Sequence, residues 1–400
     1  MKDDEKNRLR GIYRDGLLND TLPFWFPRCV DEEYGGFFTA LDRDGAVIDT
    51  DKGIWQQGRI SWLLATLYNT VEQRPEWLEW SRIGIDFLRR HGFDDDGRMF
   101  FQVTREGQAL RKRRYVFSEA FAAMAFAAYA HASGDVDAAA QARHLFEQFV
   151  YYTTTPGALP PKGVVDTRSC KGIAHPMITI NVARQLCDTV GDQAFCVSQI
   201  ERCIQEIRDD FVNEELQCVL ETVGPKGEFI DHFDGRTLNP GHAIEAAWFI
   251  LHEARLRNND AALVTLGCRM LDWMWARGWD REHGGMLYFV DVKGLPVQEY
   301  WHDMKFWWPH NETIIATLLA HQLTGNDKYV EWLRLAHDWA HTRFSDPEHG
   351  EWYGYLHRDG RISVSLKGNL WKGPFHLPRM QWYCWQLLEH GLGSNAHNKE

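Results

Sequence analysis

The chain repeats one pattern along its length: a glycine-bounded aromatic segment, followed by a helix that opens with polar residues. The aromatic segments end at turn sequences such as Asp44-Gly45 and Asp359-Gly360, which predict β-hairpins. Four clear copies and one weaker copy begin at Gly35, Gly97, Gly284, Gly350 and, for the weaker copy, Cys218. A repeat of about 65 residues limits the choice of fold, because each unit buries its apolar face against its neighbours.

A helix is predicted after each hairpin. The predicted helices open near Arg59, Ser118, His175, His242, His310 and His376. Segments 120–130 and 243–251 are apolar on more than one face, which is typical of a helix that is buried nearly all round. Segments 77–90 and 261–275 are amphipathic and predict helices with one exposed face. The third unit, around residues 163–181, shows no clear hairpin.

Six units of two helices predict an all-α fold, an (α/α)6 barrel with short β-hairpins at one rim. Six outer helices would surround six inner ones, whose N-terminal ends would meet at the rim that carries the hairpins. A chain of 400 residues exceeds the usual size of one core, but repeat folds escape that limit. No Ser-, Gly- or Pro-rich stretch is long enough for a linker, so residues 1–400 are predicted to form a single domain.

Charge and cysteine usage exclude several classes of protein. The net charge of −12 argues against nucleic acid or an anionic membrane as a partner, and the short basic run at 111–114 is interpreted as a solvated hairpin edge. The sequence has no apolar signal segment at its start and no apolar run long enough to span a membrane. Its eight cysteines form no Cys-x-x-Cys pair, so we expect free thiols and a cytoplasmic protein.

The polar residues at the starts of the inner helices would point into one shared cavity. They are Arg59, Glu119, His175, His242, Glu245, His310, Glu312, His376 and Arg379. Helix N-termini favour negative charge, which suits a reaction that develops an oxyanion. Three histidines at apparently equivalent points of a repeat indicate acid–base chemistry, although a single histidine is more often structural. Trp55, Trp307, Trp308 and Trp371 lie nearby in the sequence and are candidates for stacking on a sugar ring.

Motifs for metals and nucleotides are missing from the sequence. His242 and Glu245 are three residues apart and share one helix face, but there is no His-Glu-x-x-His and no second Glu-x-x-His. No metal is therefore expected. A dinucleotide-binding glycine motif, a P-loop and a Gly-x-Ser-x-Gly elbow are also absent from the sequence.

Several segments resemble signatures of the N-acylglucosamine 2-epimerase family, which includes renin-binding proteins. The likeness covers nearly the whole chain in the right order. The segments are LDRDG (41–45), DTDK (49–52), WQQGR (55–59), NPGHAIEAAW (239–248), KFWWPHNE (305–312) and GPFHLPR (373–379). The resemblance implies an (α/α)6 barrel that interconverts N-acetylglucosamine and N-acetylmannosamine. It also implies that His242 and His376 are the acid/base pair.

The resemblance assigns further site residues. Arg59, Glu312 and Arg379 match residues that the family needs for activity, while Trp308 and Trp371 match tryptophans that contact sugar in related enzymes. We expect Arg59, and secondarily Arg379, to stabilise the oxyanion of an enediolate, with Glu312 and Glu245 orienting histidines or hydroxyls. His175 is expected to assist ring opening or binding, and His310 to contact substrate.

Cofactors and partners follow from the same resemblance. No cofactor is expected to be required. Family members are often activated by ATP that is not consumed, but no phosphate-binding loop supports this here, so ATP is kept as an optional activator. The expected partner is a small-molecule sugar, and neither nucleic acid nor a membrane is expected. Formation of a homodimer is left as an open alternative.

Three alternatives remain open from the sequence. An aldose–ketose isomerase, or a 2-epimerase of another free sugar such as mannose or cellobiose, would use the same enediolate. An (α/α)6 glycoside hydrolase would need two carboxylates, which Glu119 and Glu312 could supply. A non-enzymatic binding protein is the third, but it would have no use for the acid/base pair.

Overall fold

Two concentric rings of helices make up the fold. The structure is a computed structural model that describes residues 1–161, 163–164 and 166–393. Within these residues the inner ring has six helices: α3 (Ile54–Thr70), α5 (Phe117–Ser133), α7 (Ala174–Thr189), α10 (Pro240–Leu256), α12 (Trp307–Thr324) and α14 (His376–His390). The outer ring of the same described part has six: α1 (Asp3–Gly16), α4 (Pro75–His91), α6 (Val136–Thr154), α8 (Gln193–Glu206), α11 (Ala261–Gly278) and α13 (Asp327–Arg343).

Burial separates the two rings as the hydrophobic pattern predicted. In α5 every residue from 118 to 130 is buried, and in α10 so is every residue from 243 to 251. The outer helix α4 buries one face only, which includes Trp77, Ile85 and Leu88. Gly58 allows α3 and α5 to approach closely, because a Cβ there would lie 2.8 Å from the backbone of Phe121.

The chain closes the rings by joining its two ends. The first outer helix, α1, packs against the last inner helix, α14, while α14 also contacts α3. The inner helices thus follow one another around a closed barrel in the order α3, α5, α7, α10, α12 and α14. The predicted (α/α)6 barrel is confirmed.

Short elements complete the chain. Two brief α-helices, α2 (Leu22–Trp25) and α9 (Phe233–Arg236), accompany π-helical turns at Leu17–Thr21 and Ile207–Phe211 and a 3-10 turn at Gly391–Gly393. The strands are β1 (Ala40–Leu41), β2 (Val47–Asp49), β3 (Lys52–Gly53), β4 (Gln102–Val103), β5 (Ala109–Arg111), β6 (Lys171–Gly172), β7 (Val212–Asn213), β8 (Cys218–Val219), β9 (Thr222–Val223), β10 (Thr237–Leu238), β11 (Val290–Asp291), β12 (Lys305–Phe306), β13 (Tyr355–Leu356) and β14 (Ile362–Val364).

Three of the five predicted hairpins have the expected pairing. Strands β1 and β2, β4 and β5, and β13 and β14 pair antiparallel across a short turn. The copies at Cys218 and Gly284 differ: β8 pairs with β7, β9 with β6, and β11 with β10. Strand β8 forms a hairpin with β7 just before it, whereas β9 and β11 pair with strands about 50 residues upstream, which a local turn signal cannot reveal.

Buried lysine–aspartate pairs recur beneath the hairpins. Lys52 Nζ lies 2.7 Å from Asp31, and Lys305 Nζ lies 2.9 Å from Asp280; in both pairs the two side chains are almost completely buried. Each lysine also donates to a glycine carbonyl of its hairpin. Because a buried ammonium needs both a counter-ion and acceptors, the pairs fix the hairpins to the barrel.

The structure bears on two predictions, the absence of a membrane-spanning segment and the free state of the cysteine thiols. None of the helices in the described residues combines the length and apolar character needed to cross a membrane. All eight cysteines lie within the described residues and are free thiols; Cys170 is exposed and the others are buried.

Candidate active site

A hydrogen-bonded pair of side chains lies at the N-terminal ends of two neighbouring inner helices. His376 is the first residue of α14, and its Nδ1 lies 2.7 Å from Oε1 of Glu312 on α12. Glu312 is fully buried, and its second oxygen accepts a hydrogen bond from Trp248 Nε1 at 2.7 Å. Both carboxylate oxygens are therefore fixed, and the imidazole is fixed with them.

A buried arginine links this pair to a second carboxylate. Arg379, one turn beyond His376, donates from Nη2 to Oε1 of Glu312 at 2.7 Å and to Oε1 of Glu245 at 2.5 Å. All four side chains are almost completely buried. The two carboxylates raise the pKa of Arg379 above its ordinary value although burial opposes this, so the guanidinium keeps its charge.

The surroundings of His376 favour a neutral ring with an unprotonated Nε2. A carboxylate oxygen can only accept, so Nδ1 carries the proton and donates to Glu312. Burial, followed by the positive charges of Arg379 and Arg59, lowers the pKa of His376 well below its ordinary value, while Glu245 opposes them. The unprotonated Nε2 is therefore available to accept a proton.

His242 is held by a carboxylate that the sequence analysis missed. It lies in the first turn of α10, where Asn239 caps the helix through the His242 amide, and its Nδ1 lies 2.9 Å from Oε1 of Glu221. Burial lowers the pKa of His242, but Glu221, with help from Glu245 and Glu312, outweighs it and raises the pKa above its ordinary value. Its side chain remains 29% exposed, so a ligand can reach it.

The two histidines lie against the same indole. The ring centroid of Trp308 is 5.0 Å from that of His242 and 5.7 Å from that of His376. Tyr288 packs edge-on against Trp308 and stacks on Phe306, which holds the indole in place. Both imidazoles therefore lie beside the same indole near the N-terminal ends of α10 and α14.

Arg59 completes the group with a guanidinium that lies among aromatic rings. Its Cζ is 4.3 Å from the ring centroid of Trp55, 4.1 Å from that of Phe121 and 4.4 Å from that of Phe375. Burial lowers its pKa to about 9, although the carboxylates of Glu245 and Glu312 oppose this. Arg59 Nε is buried and bonds no protein atom, so it can donate to a ligand.

His310 has a structural role, which corrects the prediction that it contacts substrate. Its Nδ1 lies 2.7 Å from the carbonyl of Phe306, and its Nε2 accepts from the amide of Met286 at 2.8 Å. The ring is fully buried and stacks on Trp339, and burial lowers its pKa to about 3. Both ring nitrogens are thus used by the backbone, and none is left for a sugar.

The repeat explains why His310 differs from the other histidines. Gln57 and Glu119 occupy corresponding positions of α3 and α5 and accept from the amides of Phe37 and Met99, just as His310 accepts from Met286. Glu119 also binds Arg98 and is fully buried, so it is a structural residue. The equivalence that was inferred between His310 and the pair His242 and His376 was a misreading of register.

The remaining predicted residues lie around this centre. His175 lies in the first turn of α7, with its ring against Phe117. Trp371 is 47% exposed and packs against Trp55 and Phe101, so its position at the open end suits a sugar-stacking role.

The cluster also offers a set of metal-ligand atoms. Ligand atoms of Glu245, Glu312 and His376 all lie within 4.8 Å of one another. Arg379 Nη2, however, bonds both carboxylates and supplies the positive charge that a cation would bring. The donor set is therefore already satisfied by the protein.

A separate cavity lies at the opposite end of the barrel. It is lined by the later turns of α3, α7, α10 and α14, and Trp248 and Arg379 border it from the side of the histidines. Within it, Arg184 forms a bidentate pair with Glu253. That pair uses two of the charged side chains in the lining.

Comparison with known proteins agrees with this geometry. The family model N-acylglucosamine 2-epimerase (GlcNAc 2-epimerase) matches residues 36–376. The N-acylglucosamine 2-epimerase of Bos taurus is 36% identical over 386 residues, covering 95% of this chain and 91% of that protein. That of Mus musculus is 33% identical over 378 residues, covering 93% and 90%.

A solved structure supports the architecture independently. Cellobiose 2-epimerase from Spirochaeta thermophila DSM 6192 superimposes with a TM-score of 0.83 at 19% identity, covering 97% of this chain and 98% of that chain. At this identity the likeness shows the fold, while the family model and the mammalian relatives show the family. The chain belongs to the N-acylglucosamine 2-epimerase family.

Proposed function

We propose that this protein is an N-acylglucosamine 2-epimerase that interconverts N-acetylglucosamine and N-acetylmannosamine by moving a proton at C2. The observation that carries the proposal is the pair of imidazoles, His242 and His376, which both lie beside Trp308 and each have Nδ1 held by a carboxylate. Inversion needs a base on one face of C2 and an acid on the other, and each imidazole can present its Nε2 to that carbon.

The chemistry begins with the open-chain sugar, because only then does the C2 hydrogen lie next to the C1 carbonyl. Removal of the C2 proton gives an enolate of the 2-acetamido aldehyde, and return of a proton to the opposite face inverts the carbon. Acid–base catalysis contributes roughly 10²- to 10⁴-fold, which is too little for so weak a carbon acid. The remainder comes from donors aimed at the developing oxyanion, each of which contributes about 3–4 kcal/mol.

Arg59 is the donor best suited to the oxyanion. Both arginines keep a buried Nε without a protein partner, but Arg379 Nη2 is bonded to two carboxylates, whereas the Arg59 guanidinium lies among the rings of Trp55, Phe121 and Phe375. Its depressed pKa is still about 9, so it carries a positive charge at neutral pH. Trp371 at the open end would stack on the sugar, and His175 would assist ring opening.

The experiment is proton NMR of the purified protein with single sugars. N-acetylmannosamine, N-acetylglucosamine, mannose and cellobiose are incubated separately, and the product is identified from its anomeric signals. Conversion confined to the two N-acetylated sugars supports the proposal. A ketose as product would instead identify an aldose–ketose isomerase, and conversion of mannose or cellobiose alone would identify a different 2-epimerase.

Running the reaction in D2O tests the proton transfer itself. The product must carry deuterium at C2, because the proton removed by one histidine is not the one delivered by the other. A product without deuterium at C2 would exclude this mechanism. The hydrolase alternative is weakened by Glu119, whose Oε1 is bonded to Arg98 and Met99 inside the protein.

A further inference from the structure

Glu221 is the carboxylate that sets the charge around His242. Its Oε1 lies 2.9 Å from His242 Nδ1, and Glu245 on α10 and Glu312 on α12 add negative charge to the same imidazole. The Glu221 backbone is itself fixed, because its carbonyl accepts from the amide of Ile173 at 3.1 Å. The contact therefore belongs to the folded frame, where β9 pairs with β6.

His376 has the same kind of contact but the opposite electrostatic balance. The Glu312 oxygen that faces its Nδ1 also accepts from Arg379, so the carboxylate charge is compensated. Arg379 Nη2 lies 3.3 Å from the imidazole, and Arg59 adds a second positive charge against the attraction of Glu245. The carboxylate at His376 thus shares its charge with an arginine, whereas three carboxylates favour the protonated form of His242.

We propose that Glu221 is a positioning residue that holds His242 as the acid of the resting enzyme, which leaves His376 as the base that starts turnover. The inference deepens the proposed function and rests on it. Different electrostatic surroundings beside one indole thus separate two chemically identical side chains into different roles. The directions of their pKa shifts, raised for His242 and lowered for His376, agree with the geometry.

Each proton in the cycle can be followed. Neutral His376 takes the C2 proton through Nε2, the C–H electrons form the C1–C2 double bond of the enolate, and the C1 oxygen becomes the oxyanion. His242 Nε2–H then delivers its proton to the other face of C2, and the carbonyl reforms. After turnover His376 is protonated and His242 is neutral. Loss of the His376 proton and uptake of a proton from solvent by the more exposed His242 restore the starting state.

The test is the pH profile of kcat/KM for wild type and Glu221→Gln. Glutamine can still accept from Nδ1, so it preserves orientation and tautomer while removing the charge. The wild-type plot of kcat/KM against pH should be bell-shaped. Activity should fall on the acid side as His376 becomes protonated and on the alkaline side as His242 loses its proton. In Glu221→Gln the alkaline limb should move to lower pH by about one unit or more, and the acid limb should stay in place.

Two further variants separate positioning from folding and from general charge effects. Glu221→Leu removes orientation as well as charge and should lower kcat roughly 10- to 100-fold at the optimum with KM little changed. Glu215→Gln removes one negative charge from an exposed position in the same region and should leave both limbs unchanged. The proposal is overturned if the alkaline limb of Glu221→Gln stays at its wild-type position. It is also overturned if the alkaline limb of Glu215→Gln shifts as far as that of Glu221→Gln.

A second readout does not depend on the substrate. Proton NMR titration of the histidine ring signals, with His242 assigned by its loss in His242→Asn, reports the protonation of that ring directly. The His242 signal should titrate above the ordinary histidine range in wild type and closer to it in Glu221→Gln. If no sugar is converted but this titration shift is seen, the proposed activity fails and the role of Glu221 in charging His242 stands. If the sugars are converted but the titration of His242 is the same in both proteins, only the role of Glu221 is rejected.

Discussion

Arg43 and Asp346 join the first hairpin of the chain to the last unit across 303 residues of sequence. Arg43 Nε and Nη2 reach the two oxygens of Asp346 at 2.7 Å and 3.0 Å. Asp346 also accepts from Tyr353 and pairs with the fully buried Lys367. This contact closes the hairpin rim at the point where the ring of repeats closes.

The same arrangement occurs elsewhere around the rim. Arg105 forms a bidentate pair with Asp31, and Arg358 does so with Asp280. In each case the arginine belongs to the hairpin of a later unit around the ring. Arg43 lies in the first hairpin, which comes after the last unit, that of Asp346, because the ring closes there. The buried aspartates are therefore the joints between successive units, and their arginine and lysine partners tie one unit to the next.

Asp346→Asn should destabilise the protein strongly. The change leaves Lys367 buried without its counter-ion, and breaking such a buried pair costs about 3–5 kcal/mol. Urea unfolding followed by circular dichroism measures the loss. Asp359→Asn is the matched control, because Asp359 pairs with Arg361 at the solvent-exposed surface and its loss should leave the unfolding midpoint close to that of the wild type. Equal unfolding midpoints for the two variants would contradict the assigned role of Asp346.

His376→Asn should abolish turnover without unfolding the protein. Asparagine can still donate to Glu312 but has no basic nitrogen, so kcat should fall by roughly 10²- to 10⁴-fold. The remaining His242 can exchange the C2 proton on its own face, and NMR in D2O should detect exchange in one epimer without inversion. His349→Asn, a change in a histidine that lies beside Glu348 on the surface, serves as the control. Near-normal epimerisation by His376→Asn would remove His376 from the mechanism.

The sequence located the starts of six inner helices and two of the outer helices, at 77–90 and 261–275, from local patterns, and the other outer helices followed from the repeat. It also identified the residues that meet at the site, since His242, Glu245, Glu312, His376 and Arg379 stand at helix starts. It could not identify Glu221, which lies between two short strands and acquires its role only when β9 pairs with β6. One regularity was available: contacts from hairpin to helix start recur 20 to 24 residues apart, as between Phe37 and Gln57 or Met286 and His310.

Arg59→Met should lower activity and leave stability unchanged or higher. Removal of an oxyanion donor costs roughly 10²- to 10³-fold in kcat, whereas removal of a buried, poorly compensated charge relieves desolvation. Arg184→Met is the matched comparison, because Arg184 is paired bidentately with Glu253, which is fully buried. The same substitution there should destabilise the protein, as thermal unfolding would show. If Arg59→Met lost as much stability as Arg184→Met, the charge of Arg59 would be well compensated in the folded protein, contrary to this prediction.

His310 should make the protein less stable as the pH falls, independently of catalysis. Its native pKa of about 3 lies below the value of about 6.5 expected in the unfolded chain, so its contribution is complete above about 6.5 and is lost as the pH falls towards 3. His341, whose pKa burial lowers to about 4, and His337, with a pKa of about 2, act in the same direction.

His310→Gln isolates the contribution of this one residue. Glutamine can still accept from the amide of Met286 but takes up no proton on unfolding, so the fall in stability between about pH 6 and pH 4 should be shallower by about 1.4 kcal/mol per pH unit. Urea unfolding at several pH values measures the slope, with the exposed His390→Gln as control. Because both His310 nitrogens serve the backbone, kcat at neutral pH should stay close to wild type in the folded variant. An unchanged slope combined with a large loss of kcat would instead place His310 among the catalytic residues.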